Sequence, residues 1–180
     1  MKILTAYFSL KGETIAPGRK IVIVEKGNTA FVAEFVHNAV GGELFEIQTE
    51  KTYLEDHFKL VHEAQEEILN EVRPALKQFA ADDFDVLFLG YPNWWNTIPM
   101  PVVTFLEHYN WSKKIIVPFC TSGGGGLGES VSDIEMYAKG AKVLPGYHVN
   151  GSKASMSEKE TVSWAKSVIR SIVSEEANKE

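Results

Sequence analysis

Two adjacent tryptophans stand in the run Tyr91-Pro92-Asn93-Trp94-Trp95-Asn96-Thr97-Ile98-Pro99, just beyond the apolar stretch Val86-Leu87-Phe88-Leu89-Gly90. They are half of the chain's four Trp residues and lie between two prolines, where a core cannot easily absorb both indoles. Held at the carboxyl end of a strand, they make a flat, water-excluding wall suited to a flat aromatic ligand; capping the core is their plainer use. A second segment starts at Ser9 and resumes at Gly27-Asn28-Thr29, where helical period begins. A hydroxyl, a side-chain amide and the free N–H groups of a helix start suit an anion, although Gly-Asn-Thr alone also reads as a turn with an N-cap. The third segment is Thr121-Ser122-Gly123-Gly124-Gly125-Gly126-Leu127-Gly128. Its glycines let the main chain approach a ligand and aim N–H and C=O groups at it. One ligand could meet all three: anionic at one end, flat and heteroaromatic at the other.

The elements that must position these segments alternate in type. Ile3 to Phe8 reads as a buried strand, Leu44 to Ile47 as an edge strand, Val86 to Leu89 and Ile115 to Cys120 as continuous buried strands, and Ala141 to Leu144 as a short fifth. Between them Val32, Val36 and Val40 share a helical face, as do Val61, Ala64, Ile68 and Val72 ahead of Pro74. A last helix begins with a capping-box pattern, Ser157 and Glu160, and buries Val162, Ala165, Ile169 and Ile172. The polar tail Ser174 to Glu180 is expected to fray. Strands alternating with helices give a parallel sheet covered on both faces, and right-handed crossovers bring the strand carboxyl ends to one edge. Such a sheet binds ligands in the crevice at that edge.

At 180 residues, 44% hydrophobic and 23% charged, the chain reads as one domain, 1–180. The net charge is -6, and residues 43–85 hold twelve acids against Lys51, Lys59, Arg73 and Lys77. Nucleic acid is excluded as a partner because no basic stripe exists to neutralise phosphates; the acidic stretch is a solvated helix surface or a face for a basic partner. Cys120 is the single cysteine, which fits a reducing compartment. The N-terminus lacks signal-peptide shape and no apolar stretch reaches about 20 residues, so no membrane association is expected and the cytoplasm is the default.

With these motifs in this order, the chain resembles the flavodoxin-like proteins over essentially its full length. It is most similar to a bacterial branch with loops like Tyr91-Pro92-Asn93-Trp94-Trp95-Asn96-Thr97 and Pro118-Phe119-Cys120-Thr121-Ser122-Gly123-Gly124. The resemblance implies an α/β three-layer sandwich, a five-stranded parallel sheet of order 2-1-3-4-5 with helices on both faces, and non-covalent FMN. It implies that Ser9, Asn28 and Thr29, with Gly27, hold the phosphate. Tyr91 to Thr97 and Thr121 to Gly124, with Gly128, would frame the ring system, with Trp94 or Trp95 stacked on it. The short Pro145-Gly146 connection resembles the short-chain members. The departure from the family lies between Ser9 and Gly27, where seventeen residues intervene. Pro17 and Gly18 stop a helix there, and Arg19 to Glu25 reads as half of a hairpin within an inserted segment, 10–26. Lys11, Arg19 or Lys26 could reach the phosphate from it.

Other chemistries find less support. Gly123, Gly125 and Gly128 satisfy a dinucleotide-binding pattern, but after the fourth strand and without an acid about 20 residues downstream, where a ribose partner is expected. The five histidines show no metal-ligand pairing, and no nucleophile elbow is present. Cys120 reads as a buried filler. Two flavin functions stay open: an FMN-dependent oxidoreductase reducing quinone-like or other small acceptors, and a single-electron carrier docking partner proteins by its acidic surface. The electron donor is then NAD(P)H or a separate reductase. Segments 90–100 and 120–128 contain no carboxylate, which eases full reduction of a flavin between them and leans towards the enzyme.

Overall fold

The computed structural model describes residues 1–178. Five segments build the central sheet because each is apolar on both faces or on its inner one. They are β1 (Ile3–Tyr7), β4 (Glu43–Glu46), β5 (Val86–Pro92), β6 (Ile115–Ser122) and a fifth position shared by β7 (Lys142–Val143) and β8 (Tyr147–Asn150). All pair in parallel, in the order β4-β1-β5-β6 and then β7 and β8, both on β6. Counted along the sheet's own strands this is 2-1-3-4-5.

The period-2 alternation of β5 divides the core. Leu87, Leu89 and Tyr91 join one apolar cluster with Val102, Phe105 and Leu106 of α3 (Met100–His108). Val86 and Phe88 join the other, with Val32 and Val36 of α1 (Asn28–Val40) and Ala165 and Ile172 of α5 (Glu158–Ala177). The remaining helices are α2 (His57–Leu69) and α4 (Ser130–Tyr137). No helix is long and apolar enough to cross a membrane among the described residues.

Four details depart from the sequence reading. The fifth strand extends past Leu144 but is interrupted: Ile116 pairs with Val143, whereas Phe119 pairs with Tyr147, so one extra residue is accommodated between the two pieces. α2 ends at Leu69 and leaves Val72 outside it. Ser157 does not form a capping box. The chain reaches it through a 3-10 turn, Gly151–Met156, which leaves it at φ -88, ψ 11 instead of extended, and its hydroxyl donates back to Ala154 O at 2.8 Å. The C-terminal tail is helical as far as Ala177; residues 179 and 180 lie outside the described residues.

Residues 10–26 fold as an antiparallel ribbon of β2 (Gly12–Ala16) and β3 (Lys20–Val24), turning at Pro17-Gly18-Arg19. Ile15, Ile21 and Ile23 share one face of it and are exposed. The ribbon is anchored at its base: Glu13 N donates to Glu55 O at 2.9 Å, and Glu13 Oε2 accepts the His57 amide at 3.0 Å. Part of the acidic stretch is internal to the fold. Glu67 is buried, accepts from the Tyr53 hydroxyl and pairs with Lys51, which also bonds Glu63.

Candidate functional site

The carboxyl ends of β1, β5, β6 and β8 open into one cavity of about 820 Å³. Of the residues singled out from sequence, Ser9, Asn28, Thr29, Pro92, Asn93, Trp94, Trp95, Thr121, Ser122 and Gly123 line it.

At one corner α1 begins. Ser9 Oγ accepts from the Ala30 amide at 3.2 Å, which binds the end of β1 to the first turn of the helix across the inserted ribbon. Thr29, fully buried, shares a 2.8 Å hydrogen bond with the Thr121 hydroxyl. Gly27 precedes the helix and does not line the cavity. A Cβ there would come within 2.1 Å of Ser9 Oγ and 2.4 Å of Leu10 O, so glycine is what allows these strands of chain to meet. The corner therefore gathers hydroxyls, an amide and a helix amino end, a composition that attracts an oxyanion.

The tryptophan loop is a tight two-residue turn. Trp94 and Thr97 exchange backbone bonds of 3.1 Å, with Trp95 and Asn96 both left-handed, at φ 52 and 69. A bulky residue in that region is strained. Trp94 is fixed by edge-on contacts to Phe8 and Tyr53, at 5.4 and 5.6 Å between ring centroids. Trp95 is 49% exposed, and its indole N–H donates to Val61 O at 2.9 Å, tying the loop to α2.

The glycine loop is held rather than loose. Ser122 Oγ accepts from the Gly126 amide at 3.0 Å and shares a 2.8 Å bond with His148 Nε2, while Asn93 Nδ2 donates to Gly126 O at 2.8 Å. Cys120, behind it, is fully buried, and burial pushes its thiol up to about 12, which rules out a thiolate nucleophile near neutral pH.

Five of the expected ligand-framing residues do not line the cavity. Tyr91 turns into the core, where its hydroxyl meets Ser130 Oγ at 2.9 Å, because strand alternation sends it to the face opposite Phe88. The Thr97 hydroxyl bonds the Asp133 carboxylate. Asn96 O accepts the Glu129 amide at 2.8 Å, and Gly128 (φ 54) lies against it, with room for no Cβ: one would sit 2.4 Å from Asn96 O. These three brace the tryptophan loop against α4. Gly124 is exposed and has nothing within 4 Å of a Cβ position.

The cavity also has walls that the sequence did not announce. Glu13, Thr14, Ile15, Ala16 and Val24 come from the ribbon, beside the expected Lys11 and Arg19, His57, Leu60, Val61 and Ala64 from α2, and Asn150, Gly151 and Ser152 from the end of β8. The α2 stripe of Val61, Ala64 and Ile68 was a readable signal, but besides packing inward it serves the cavity: Ala64 is buried and Ile68 packs on the core, while Val61 and Ala64 also line the cavity. Among the described residues no group of three or more His, Cys, Asp or Glu could hold a metal ion.

A family model described as Flavodoxin matches residues 2–168. No curated protein matches the chain. Among solved structures, the chain is similar to a candidate flavoprotein from Bacteroides eggerthii, with 28% identity over 93% of this chain and 98% of that one and a TM-score of 0.72. A candidate flavoprotein from Bacteroides uniformis gives 27%, 92%, 97% and 0.71. A Lactobacillus acidophilus flavoprotein in complex with FMN shares the fold at 22% identity, over 86% of this chain and 97% of that one, with a TM-score of 0.62. With the matched segment running from the first strand into the last helix, the chain belongs to the flavodoxin family.

Proposed function

We propose that this chain is an FMN-dependent oxidoreductase that takes electrons from NAD(P)H and passes them to quinone-like or other small acceptors. FMN is its cofactor: the family carries that assignment, and the Lactobacillus acidophilus relative holds FMN. The residues fit the group, since the Gly27 approach that a Cβ would fill closes an oxyanion corner beside an apolar, indole-walled cavity. Ser9, Asn28, Thr29 and the first amides of α1 would hold the phosphate. Pro92, Asn93, Trp94, Trp95, Ser122 and Gly123 would frame the ring system. When bound, FMN supplies hydride acceptance and the return of electrons singly or in pairs. The chain's own residues bind and orient it, exclude water, and keep carboxylates out of both framing loops.

One observation carries the enzyme reading over the carrier. The ribbon and α2 add apolar walls, through Ile15, Ala16, Val24, Leu60 and Val61, to the edge where a carrier would present its cofactor to a protein. The cavity of about 820 Å³ lies in the upper part of the range of about 300–1,000 Å³ usual for small-molecule sites, leaving room for an acceptor beside the flavin. The acidic stretch 43–85 favours the second reading, a single-electron carrier, although Glu67 is withdrawn from that surface. Anaerobic stopped-flow mixing of the FMN form with NADH and NADPH separates the two. Rapid loss of flavin colour, restored by a quinone, is the expected result; inertness to both nucleotides would favour a carrier served by a reductase.

A further inference from the structure

Four ionisable side chains line the cavity: Lys11, Glu13, Arg19 and His57. Lys11 Nζ is 3.8 Å from Glu55 Oε1, and Glu13 Oε2 accepts the His57 amide at the head of α2. The Arg19 guanidinium forms no ion pair or hydrogen bond among the described residues. Arg19 occupies the ribbon's turn, where Gly18 and Arg19 are both left-handed, at φ 80 and 60. To the same cavity the ribbon and α2 contribute Ile15, Ala16, Leu60 and Val61.

We propose that Arg19 holds an oxyanion carried by a flat, largely apolar electron acceptor, so that the chain prefers acidic quinones to uncharged ones. This rests on the oxidoreductase reading above. The FMN phosphate is another oxyanion, but its corner adjoins the base of the ribbon, at Ser9 and Gly27. The turn lies roughly 14 Å further along β2, at about 3.4 Å per residue. A guanidinium fork matches a carboxylate or sulfonate on two N–H bonds, and the apolar walls accept the ring.

The test uses the full-length, FMN-loaded chain with two probes, a naphthoquinone sulfonate and the uncharged methyl-naphthoquinone. Binding is followed by perturbation of flavin absorbance, and KM is measured in parallel. Arg19→Asn removes the charge while keeping a side chain that tolerates a left-handed turn. It should weaken the sulfonate about tenfold and leave the uncharged quinone and FMN within about twofold; high salt should shrink the difference, and Arg19→Lys should recover part of it. Equal weakening of both quinones, an unaffected sulfonate, or a tenfold loss of FMN affinity instead would overturn the assignment. If both quinones bind with that selectivity but no electrons pass, the oxidoreductase reading fails while the role of Arg19 in binding stands.

Discussion

The hydroxyls of Thr29 and Thr121 lie 2.8 Å apart although 92 residues separate them in the chain. One opens the helix that follows the ribbon, the other sits near the end of β6 where the glycine loop begins. Their bond joins the oxyanion corner to the loop proposed to frame the flavin ring. Thr29→Val preserves shape but strips one hydroxyl from that corner and leaves the Thr121 hydroxyl, 3% exposed, without this partner. The unpaired hydroxyl lowers folding stability, and the lost hydrogen bond to a charged group, worth about 1.5–3 kcal/mol, should raise the FMN Kd about tenfold or more in calorimetric titration of the apoprotein. Unchanged affinity would move the phosphate elsewhere.

Gly27→Ala tests the same corner by crowding. The new methyl would lie 2.1 Å from Ser9 Oγ and 2.4 Å from Leu10 O, so backbone must move. Overpacking of this kind costs about 1–3 kcal/mol, and the loss should appear both as a lower melting temperature and as weaker FMN binding. A variant that binds and melts like the parent would show that the close approach is not needed.

Trp95 combines a strained backbone with its proposed place beside the flavin. Its left-handed backbone stores about 1–2 kcal/mol of strain that glycine would not carry. Against this stand one indole hydrogen bond to Val61 O and a half-exposed ring. Trp95→Gly should therefore leave the melting temperature of the apoprotein about level while weakening FMN binding. Trp94→Ala, which empties the edge-on contacts with Phe8 and Tyr53, should instead cost about 3 kcal/mol of folding stability. The two thermal melts, compared with the two FMN titrations, decide the division of labour.

Alkaline pH should weaken the fold. Burial raises the Cys120 thiol from its ordinary 9.0 to about 12, and burial with the nearby Glu46 and Glu34 raises Tyr7 from 10.0 to about 12. Between those limits the unfolded chain has released protons that the folded chain retains, so unfolding becomes easier as pH rises. The contribution is intact below about 9 and is lost progressively towards 12. Denaturant midpoints measured over this window should fall, and Cys120 should resist alkylation at mildly alkaline pH until the chain unfolds. Prompt alkylation of the native protein would contradict its burial.

What could be read in advance was local. β5 and β6 are apolar on both faces and so announce themselves. Gly27-Asn28-Thr29 and Ser122-Gly123 carry their geometry within a few residues. A contiguous motif that reads whole as a ligand site does not stay whole: Tyr91, Thr97 and Gly128 lie outside the cavity lining. The period-2 twist of a strand end and the demands of α4 divide it between the cavity and the scaffold. His57 and Asn150–Ser152 were invisible for a different reason: each comes from a separate element, and only the sheet topology sets them on one rim. The 3-10 turn ahead of α5 likewise depends on how the chain leaves β8, which no capping pattern records.

The ribbon departs from the main chain beside Ser9 and returns to it at Gly27, where the 3.2 Å contact between Ser9 Oγ and the Ala30 amide closes the gap. Exit and re-entry are neighbours, so the thirteen-residue span from Gly12 to Val24 is a cassette on a sealed doorway. Its length and side chains can diverge without shifting the sheet register or the head of α1, and a lineage could retune what approaches the reactive edge by rewriting this one excursion.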